Sequence, residues 1–407
     1  MKHIHCWPLA GAALLVSQFA GAADSLENLS FAVLGGAPNL DLRTRYEHVD
    51  NETSSNPRDS SALTARTRLG YTTGKWNNLD AQLEYEGTAA YQEKSYNSGL
   101  NTVKNRPAIA DPVGNELNQY WLRYTGLPWT TLKLGRQRYT LDNQRFVGNV
   151  GWRQNEQTYD GGSVLIKPAP LPALEINYAY FHNINTPAYA NVPMSATHLA
   201  NIAYTFGDAL KLVGYSYWLD FEMPSTAANR QDSRSTGLRA TGSYALPAQL
   251  KLSYAAEYAQ QRRYADATSK VDADYWNAEA GLSYAYATLK LGYELLGSHD
   301  GLYGFQTPLA TLHAFDGWAD QFLTTPNNGL QHKYASLALT QWKTTATLVW
   351  HGFKADETGA AYGEEFDASL SRPITKQLSV LAKYASYDAR GFSSDTGKFW
   401  LQAEFKF

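Results

Sequence analysis

The chain has 407 residues, enough for one large barrel or for two to three ordinary domains. Its formal net charge of −3 is nearly balanced, which gives no support to a nucleic-acid partner. Mean hydropathy is −0.42, and beyond the N-terminus no run approaches about 18 apolar residues, so membrane-crossing helices are excluded. A barrel is not excluded, because strands that alternate lipid-facing and water-facing residues average to a polar composition.

Residues 1–22 read as a secretory signal. Lys2 supplies the positive end, Leu9 to Val16 the short apolar core, and Ala20-Gly21-Ala22 the small-residue cleavage site, with cleavage expected before Ala23. The single cysteine, Cys6, leaves with this segment. The mature chain then has no thiol, which excludes disulfides, cysteine metal sites and cysteine nucleophiles. Residues 23–38 read as a periplasmic lead-in and 39–407 as one barrel.

From residue 40 a period-two pattern begins and persists. Leu40, Leu42, Thr44 and Tyr46 alternate with Asp41, Arg43, Arg45 and Glu47. Leu63, Ala65, Thr67, Leu69 and Tyr71 alternate with Thr64, Arg66, Arg68 and Thr72, and Ala81, Leu83 and Tyr85 with Asp80, Gln82, Glu84 and Glu86. Tyr120, Leu122 and Tyr124 alternate with Gln119, Trp121 and Arg123. Such a period places one face against an apolar medium and the other against water. Further segments follow near 131–138, 156–166, 174–183, 197–206, 210–220, 235–245 and 250–262, then near 274–286, 288–298, 330–341, 344–354, 362–372, 377–387 and 397–407. The fold class is therefore all-β: a transmembrane, antiparallel, up-and-down β-barrel of about 18 strands, or 16 if a hairpin is mis-split.

The connections support this. Short ones (74–78, 126–130, 167–173, 207–209, 246–249, 342–343 and 373–376) carry turn residues and alternate with longer polar loops. The long loops are 50–60, 92–115, 139–155, 184–196, 221–234, 263–273, 299–329, 355–361 and 388–396. A soluble β-sandwich would alternate too, but would not keep its long loops on one side. Aromatic residues near strand ends (Tyr46, Tyr71, Trp76, Tyr124, Trp129, Tyr217, Tyr258, Tyr284 and Tyr384) suit interfacial girdles. In the last strand Phe399, Leu401, Ala403, Phe405 and Phe407 share one apolar face, as expected of a strand read by the barrel-assembly machinery.

Function then belongs to inward residues and loops. The inward arginines Arg43, Arg45, Arg66, Arg68 and Arg123, with Lys133 and either Arg136 or Arg138, favour an anionic solute, since the guanidinium binds carboxylate bidentately and keeps its charge. The register at 136–138 depends on whether Gly135 sits at a bulge. Asp41, Glu47, Asp80, Glu84 and Glu86 point inward as well, so the arginines can equally be engaged in wall salt bridges. Trp121 and Trp218 are candidate lumenal rings for stacking on a sugar. The stretch from Gly135 to Gly162 adds Arg145 and Arg153 with Asp142, Glu156 and Asp160, and is expected to fold into the lumen as a constriction. His48, His182, His198, His299, His313, His332 and His351 are scattered without metal-ligand spacing, and no nucleophile elbow or HExxH motif occurs, so no enzymatic activity or cofactor is expected. Asp300, Asp316 and Asp320 are weak candidates for Ca²⁺, set against the reading of 299–329 as a solvated external loop.

Residues 119–124, 132–138, 142–148 and 151–157, together with Leu63 to Tyr71, resemble the alginate-export family of outer-membrane porins. The resemblance is clear over about 40–160 and architectural beyond. It implies an 18-stranded monomeric barrel in the bacterial outer membrane, with an arginine-rich lumen that passes an acidic polysaccharide. Carried onto this sequence, it makes Arg66, Arg68, Arg123, Arg136, Arg138, Arg145 and Arg153 candidate selectivity residues. The first reading is a porin for an acidic saccharide or alginate-like polyuronate. The alternatives are an uptake porin for small organic or aromatic acids, and a structural or adhesive barrel with a plugged lumen.

Overall fold

The computed structural model describes residues 25–51, 53, 57–222, 232–267 and 271–407; the expected signal segment 1–22 lies outside them. A helix, α1 (Ser25–Leu34), precedes the strands. Strands β1 to β6 are Ala37–Asp50, Ser60–Thr72, Leu79–Tyr91, Gly114–Tyr124, Thr130–Gln137 and Thr158–Ile166. Strands β7 to β12 are Leu174–Asn185, Asn191–Thr205, Lys211–Leu219, Ser233–Ala245, Lys251–Arg262 and Asp272–Tyr284. Strands β13 to β18 are Ala287–Leu296, Leu330–Gln341, Thr344–Lys354, Ala361–Pro373, Leu378–Ala389 and Thr396–Lys406. Each strand pairs antiparallel with its neighbours in sequence, and β1 also pairs with β18. The 18-stranded sheet is thus closed and leaves no edge unpaired, as a strand in hydrocarbon requires.

Alternation decides which way each side chain points. On β1 and β2, Arg43, Arg45, Glu47, Thr64, Arg66 and Arg68 are buried inside, while Leu42, Leu63 and Leu69 are exposed outside. Leu83, Leu122, Leu134, Leu289 and Leu291 continue the outer apolar band around the barrel. On β18 the outward set Phe399, Leu401 and Phe405 is exposed and Trp400 is buried within. An outer depression of about 580 Å³ is lined by Thr44, Tyr46, Leu63, Leu370 and Leu401.

Strand β9 departs from expectation. Tyr217 is buried inside rather than in a girdle, and Trp218 takes the outward register, so it is no lumenal ring. Both faces of this strand are apolar because its inner face packs on a loop, so hydropathy alone does not assign the faces. Phe146 lies 5.2 Å from Tyr215, 6.1 Å from Tyr217, 5.3 Å from Tyr275 and 5.9 Å from Phe305. The core of the protein is therefore inside the barrel. Each such ring taken from water contributes about 1.5–3 kcal/mol.

That core is built by two loops that enter the lumen. The first, 138–157, follows β5, which is only eight residues long. The second, 297–329, follows β13. Gly148 N–H donates to the Leu309 carbonyl, and Val147 bridges Leu309 in parallel. The first loop thus lies inside, as its arginines and glycines lead one to expect. The second does not: it reads as a solvated external loop in sequence, yet Phe305, Leu309, His313, Asp316 and Phe322 are buried. Gly135, at φ +119°, is paired within β5 to Trp121 and Gly161, where a Cβ would collide with the Tyr120 carbonyl oxygen. The register shift lies in the adjacent strand, between Asp160 and Gly161, and not at Gly135.

Candidate functional site

The wall arginines meet the loop tip through backbone carbonyls. Arg43 Nη1 donates to the carbonyls of Gly151, Trp152 and Arg153 at 3.0, 3.2 and 3.2 Å. Arg45 Nη2 donates to the Trp152 carbonyl at 2.6 Å, and its guanidinium lies 4.0 Å over the Trp152 ring. These carbonyls point toward positive charge that the period-two pattern of β1 places at successive inward positions.

The rest of the inward set is engaged in ion pairs. Arg43 pairs with Glu404 at 2.8 Å. Arg66 pairs with Asp41 at 2.6 Å and Glu404 at 3.1 Å, but its Nε and Nη1 have no hydrogen-bond partner among the described residues. Arg68 pairs with Glu86 and reaches Glu156 at 3.5 Å. Arg123 pairs with Asp80, Nε to Oδ1 at 2.9 Å, at the short-turn end of β4. Arg138 donates through Nε to Glu156 at 2.7 Å and lies 3.7 Å from Glu84.

Arg145 and Arg153, from the first loop, cross the lumen. Arg145 pairs with Glu294 at 2.7 Å and Asp316 at 2.8 Å, and Arg153 with Glu47 at 3.1 Å and Asp320 at 3.0 Å. Arg136 is placed apart. Its register opposes it to Tyr120, an exposed outward ring, with the guanidinium 5.2 Å over that ring and paired to Asp160 at 2.8 Å.

One cavity beside this network, of about 450 Å³, lies beneath the first loop; another, of about 400 Å³, is lined by Arg239, Glu279, Glu294, Asp316 and His332. Arg43, Arg68, Arg138 and Lys406 line the first cavity against only Asp41 and Glu84, with Asn39, Asn149 and Gly151 as further polar walls. Lys406 is its most open cation, with 59% of its side chain exposed, and Arg138 follows with 37%. Burial alone would raise the Glu156 carboxyl, but Arg68 and Arg138 outweigh it and hold Glu156 down to about 2. The carboxylate therefore stays charged and fixes Arg138 at the cavity edge.

Two groups of site residues are not visible in the sequence. Asn118 is the extra residue of a bulge on β4, so it points inward beside the expected Gln119, and the two donate to Glu84 at 2.8 and 2.9 Å. His332 and His351 meet at 2.8 Å, because the two-residue turn between β14 and β15 makes them diagonal neighbours on one face. That turn is the one signal from which the pair could have been found.

Of the three acids considered for Ca²⁺, Asp300 is exposed as in a solvated loop, while Asp316 and Asp320 are engaged inside the barrel. Asp316 accepts from Arg145 and His332, and Asp320 from Arg153, His313 and Lys398. Glu294, Asp316 and His332 lie close enough together to hold a metal ion, but the Arg145 guanidinium is bonded to both acids of that set.

Comparisons agree with this geometry. Residues 38–169 match the alginate export family model. No curated protein matches the chain. Among solved structures it is similar to Pseudomonas aeruginosa OpdK with vanillate, at 15% identity over 92% of this chain and 99% of that one, with a TM-score of 0.71. Acinetobacter baumannii OccAB2 is similar at 16% identity over 92% and 98%, with a TM-score of 0.70. Pseudomonas aeruginosa OccK9 (OpdG) is similar at 13% over 92% and 99%, with a TM-score of 0.71. The chain folds as a closed 18-stranded antiparallel β-barrel, as these solved structures do, with a lumen lined by arginine and carboxylate. The family match is confined to the first third of the chain, and the likeness beyond it is one of fold.

Proposed function

We propose that this porin passes small organic acids, aromatic carboxylates included, rather than an acidic polymer. The observation that carries the reading is the cavity of about 450 Å³ with four cationic side chains against two carboxylates. Cavities of about 300–1,000 Å³ enclose single small molecules. Both inward loops stand across the lumen, and a polyuronate would have to displace them, with loss of the Arg145 and Arg153 pairs. The similarity to OpdK solved with vanillate supports the same class of solute. Arg43, Arg68 and Arg138 form the selective surface, with Arg66 behind them. Arg45, Arg145 and Arg153 hold the loops, Arg123 with Asp80 lines the short-turn mouth, and Glu84 and Glu86 orient the arginines. No step consumes energy, so the solute gradient sets direction, and uptake follows when the acid is consumed inside.

The match of residues 38–169 to the alginate export family favours a second reading, passage of an oligouronate. Planar-bilayer recording separates the two. Vanillate or benzoate added to one side reduces the ionic current in proportion to concentration, and oligouronates of matched charge do not. Block by oligouronates alone would reverse the assignment.

A further inference from the structure

Lys383 points inward from β17 and is 8% exposed. Its Nζ lies 3.8 Å from the ring centroid of Trp318, 4.3 Å from that of Trp152 and 5.5 Å from that of Trp400. The three rings have three origins: Trp152 is in the first inward loop, Trp318 in the second, and Trp400 on β18. One ammonium thus touches both loops and the wall through ring faces, whose negative quadrupoles attract it.

The surroundings fix its role. Nζ is 2.7 Å from His313 Nε2, and the His313 ring stacks on Trp152 at 4.3 Å with an interplanar angle of 5°. Burial holds His313 well below its ordinary value, so the ring is neutral. Its Nδ1–H donates to Asp320 at 2.6 Å, which leaves Nε2 to accept from Lys383. Behind the cage, the turn of the second loop rests on two carboxylates of β16. Trp318 N–H donates to Asp367 at 3.2 Å and Ala319 N–H to Glu365 at 2.7 Å. Gly317, at φ +86°, allows this seat, since a Cβ would collide with the Glu365 carboxylate.

We propose that Lys383 is a positioning residue that latches both inward loops across the lumen and so sets the width of the solute path. The cage differs from the neighbouring arginine pairs. It holds Trp152 and Trp318 together without an opposite charge on either, and none of its residues lines the Arg43–Arg68–Arg138 cavity. Loss of the cation loosens both loops at once, while the Arg145 and Arg153 pairs and the Arg43–Arg68–Arg138 surface stay in place.

Single-channel recording of wild type and Lys383→Met in planar bilayers tests this, with folding checked by the heat-dependent shift in gel mobility. Methionine keeps much of the stem and removes the charge. Excursions to higher conductance are expected to become about thirtyfold more frequent in Lys383→Met, the effect of one desolvated cation–π contact on a two-state loop. The sign of the reversal potential should not change. Lys383→Arg, which keeps a cation over the rings, is expected to retain wild-type traces. If Lys383→Met does not insert, Trp318→Leu is read in its place, with the same expected rise. Wild-type conductance and noise in the charge-free variant would overturn the proposal. So would an equal rise in Lys383→Arg, which would show that packing rather than charge holds the loops.

Discussion

Arg153 and Asp320 meet at 3.0 Å inside the barrel, one carried by each of the two inward loops. The pair is continued on both sides. Arg153 reaches Glu47 on β1, and Asp320 reaches Lys398 on β18 at 2.8 Å. A chain of alternating charge therefore runs from wall to loop to loop to wall across the closure of the barrel. Burial alone would raise the Asp320 carboxyl, but the His313 N–H, Lys398 and Arg153 hold it well below the usual carboxylate range.

Arg153→Ala removes the centre of this chain. Glu47 then loses its only hydrogen-bond donor among the described residues and remains buried at 1% exposure. Breaking a buried pair from one side costs about 3–5 kcal/mol. A lower midpoint of heat-induced unfolding, read by the gel-mobility shift, checks this. An unchanged midpoint would mean that Glu47 finds another partner.

Glu156 gives the first loop a pH dependence with a definite sign. Its carboxyl is held at about 2 in the folded protein, against an ordinary value of 4.5. A depressed acid contributes stability that is complete above its unfolded value and is lost as pH falls through its folded one. Loosening of the first loop is expected between 4.5 and about 2. Glu156→Gln should flatten that part of the profile. Protease accessibility of the loop as pH is lowered measures it, and identical profiles would remove Glu156 from the mechanism.

Arg145→Ala converts a salt bridge into a metal site. Glu294, Asp316 and His332 keep their positions around the vacated guanidinium, and three such ligands suit Zn²⁺. Zn²⁺ should raise the unfolding midpoint of the variant and leave wild type unchanged. Equal responses would show that Arg145 does not exclude the ion.

Leu122→Arg tests the lipid-facing assignment. Leu122 is 57% exposed on the outer face of β4, in line with Leu134 across the strand pair. An arginine facing lipid near the bilayer midplane costs about 2–4 kcal/mol. Folding into lipid vesicles should become correspondingly less favourable. The same change at the neighbouring inward position, Trp121, tests lumenal packing instead.

Strand number, facing and closure were legible because a barrel in lipid must alternate, and Leu42, Leu69 and Leu122 obey that rule against Arg43, Arg68 and Arg123. The rule fails where the lumen is filled. Tyr215 and Tyr217 pack on Phe146, so the inner face of β9 is as apolar as its outer face, and Trp218 is assigned to the wrong side. The loop 297–329 is polar enough to pass for a solvated one, because its acids are matched by arginines from elsewhere in the chain. Asp316 and Arg145 are 171 residues apart, and no local pattern joins them. The candidate anion surface was visible as residue types at inward positions. Which arginines stay open was not, since that depends on the partners each one finds.

The central claim is that anions pass along the surface formed by Arg43, Arg68, Arg138 and Lys406. The reversal potential of the purified porin under a potassium chloride gradient tests it most directly, in wild type and in the double variant Arg138→Glu with Lys406→Glu. Wild type is expected to be anion-selective, and the double variant to shift towards cations. A cation-selective wild type, or a double variant with unchanged reversal potential, would contradict the account.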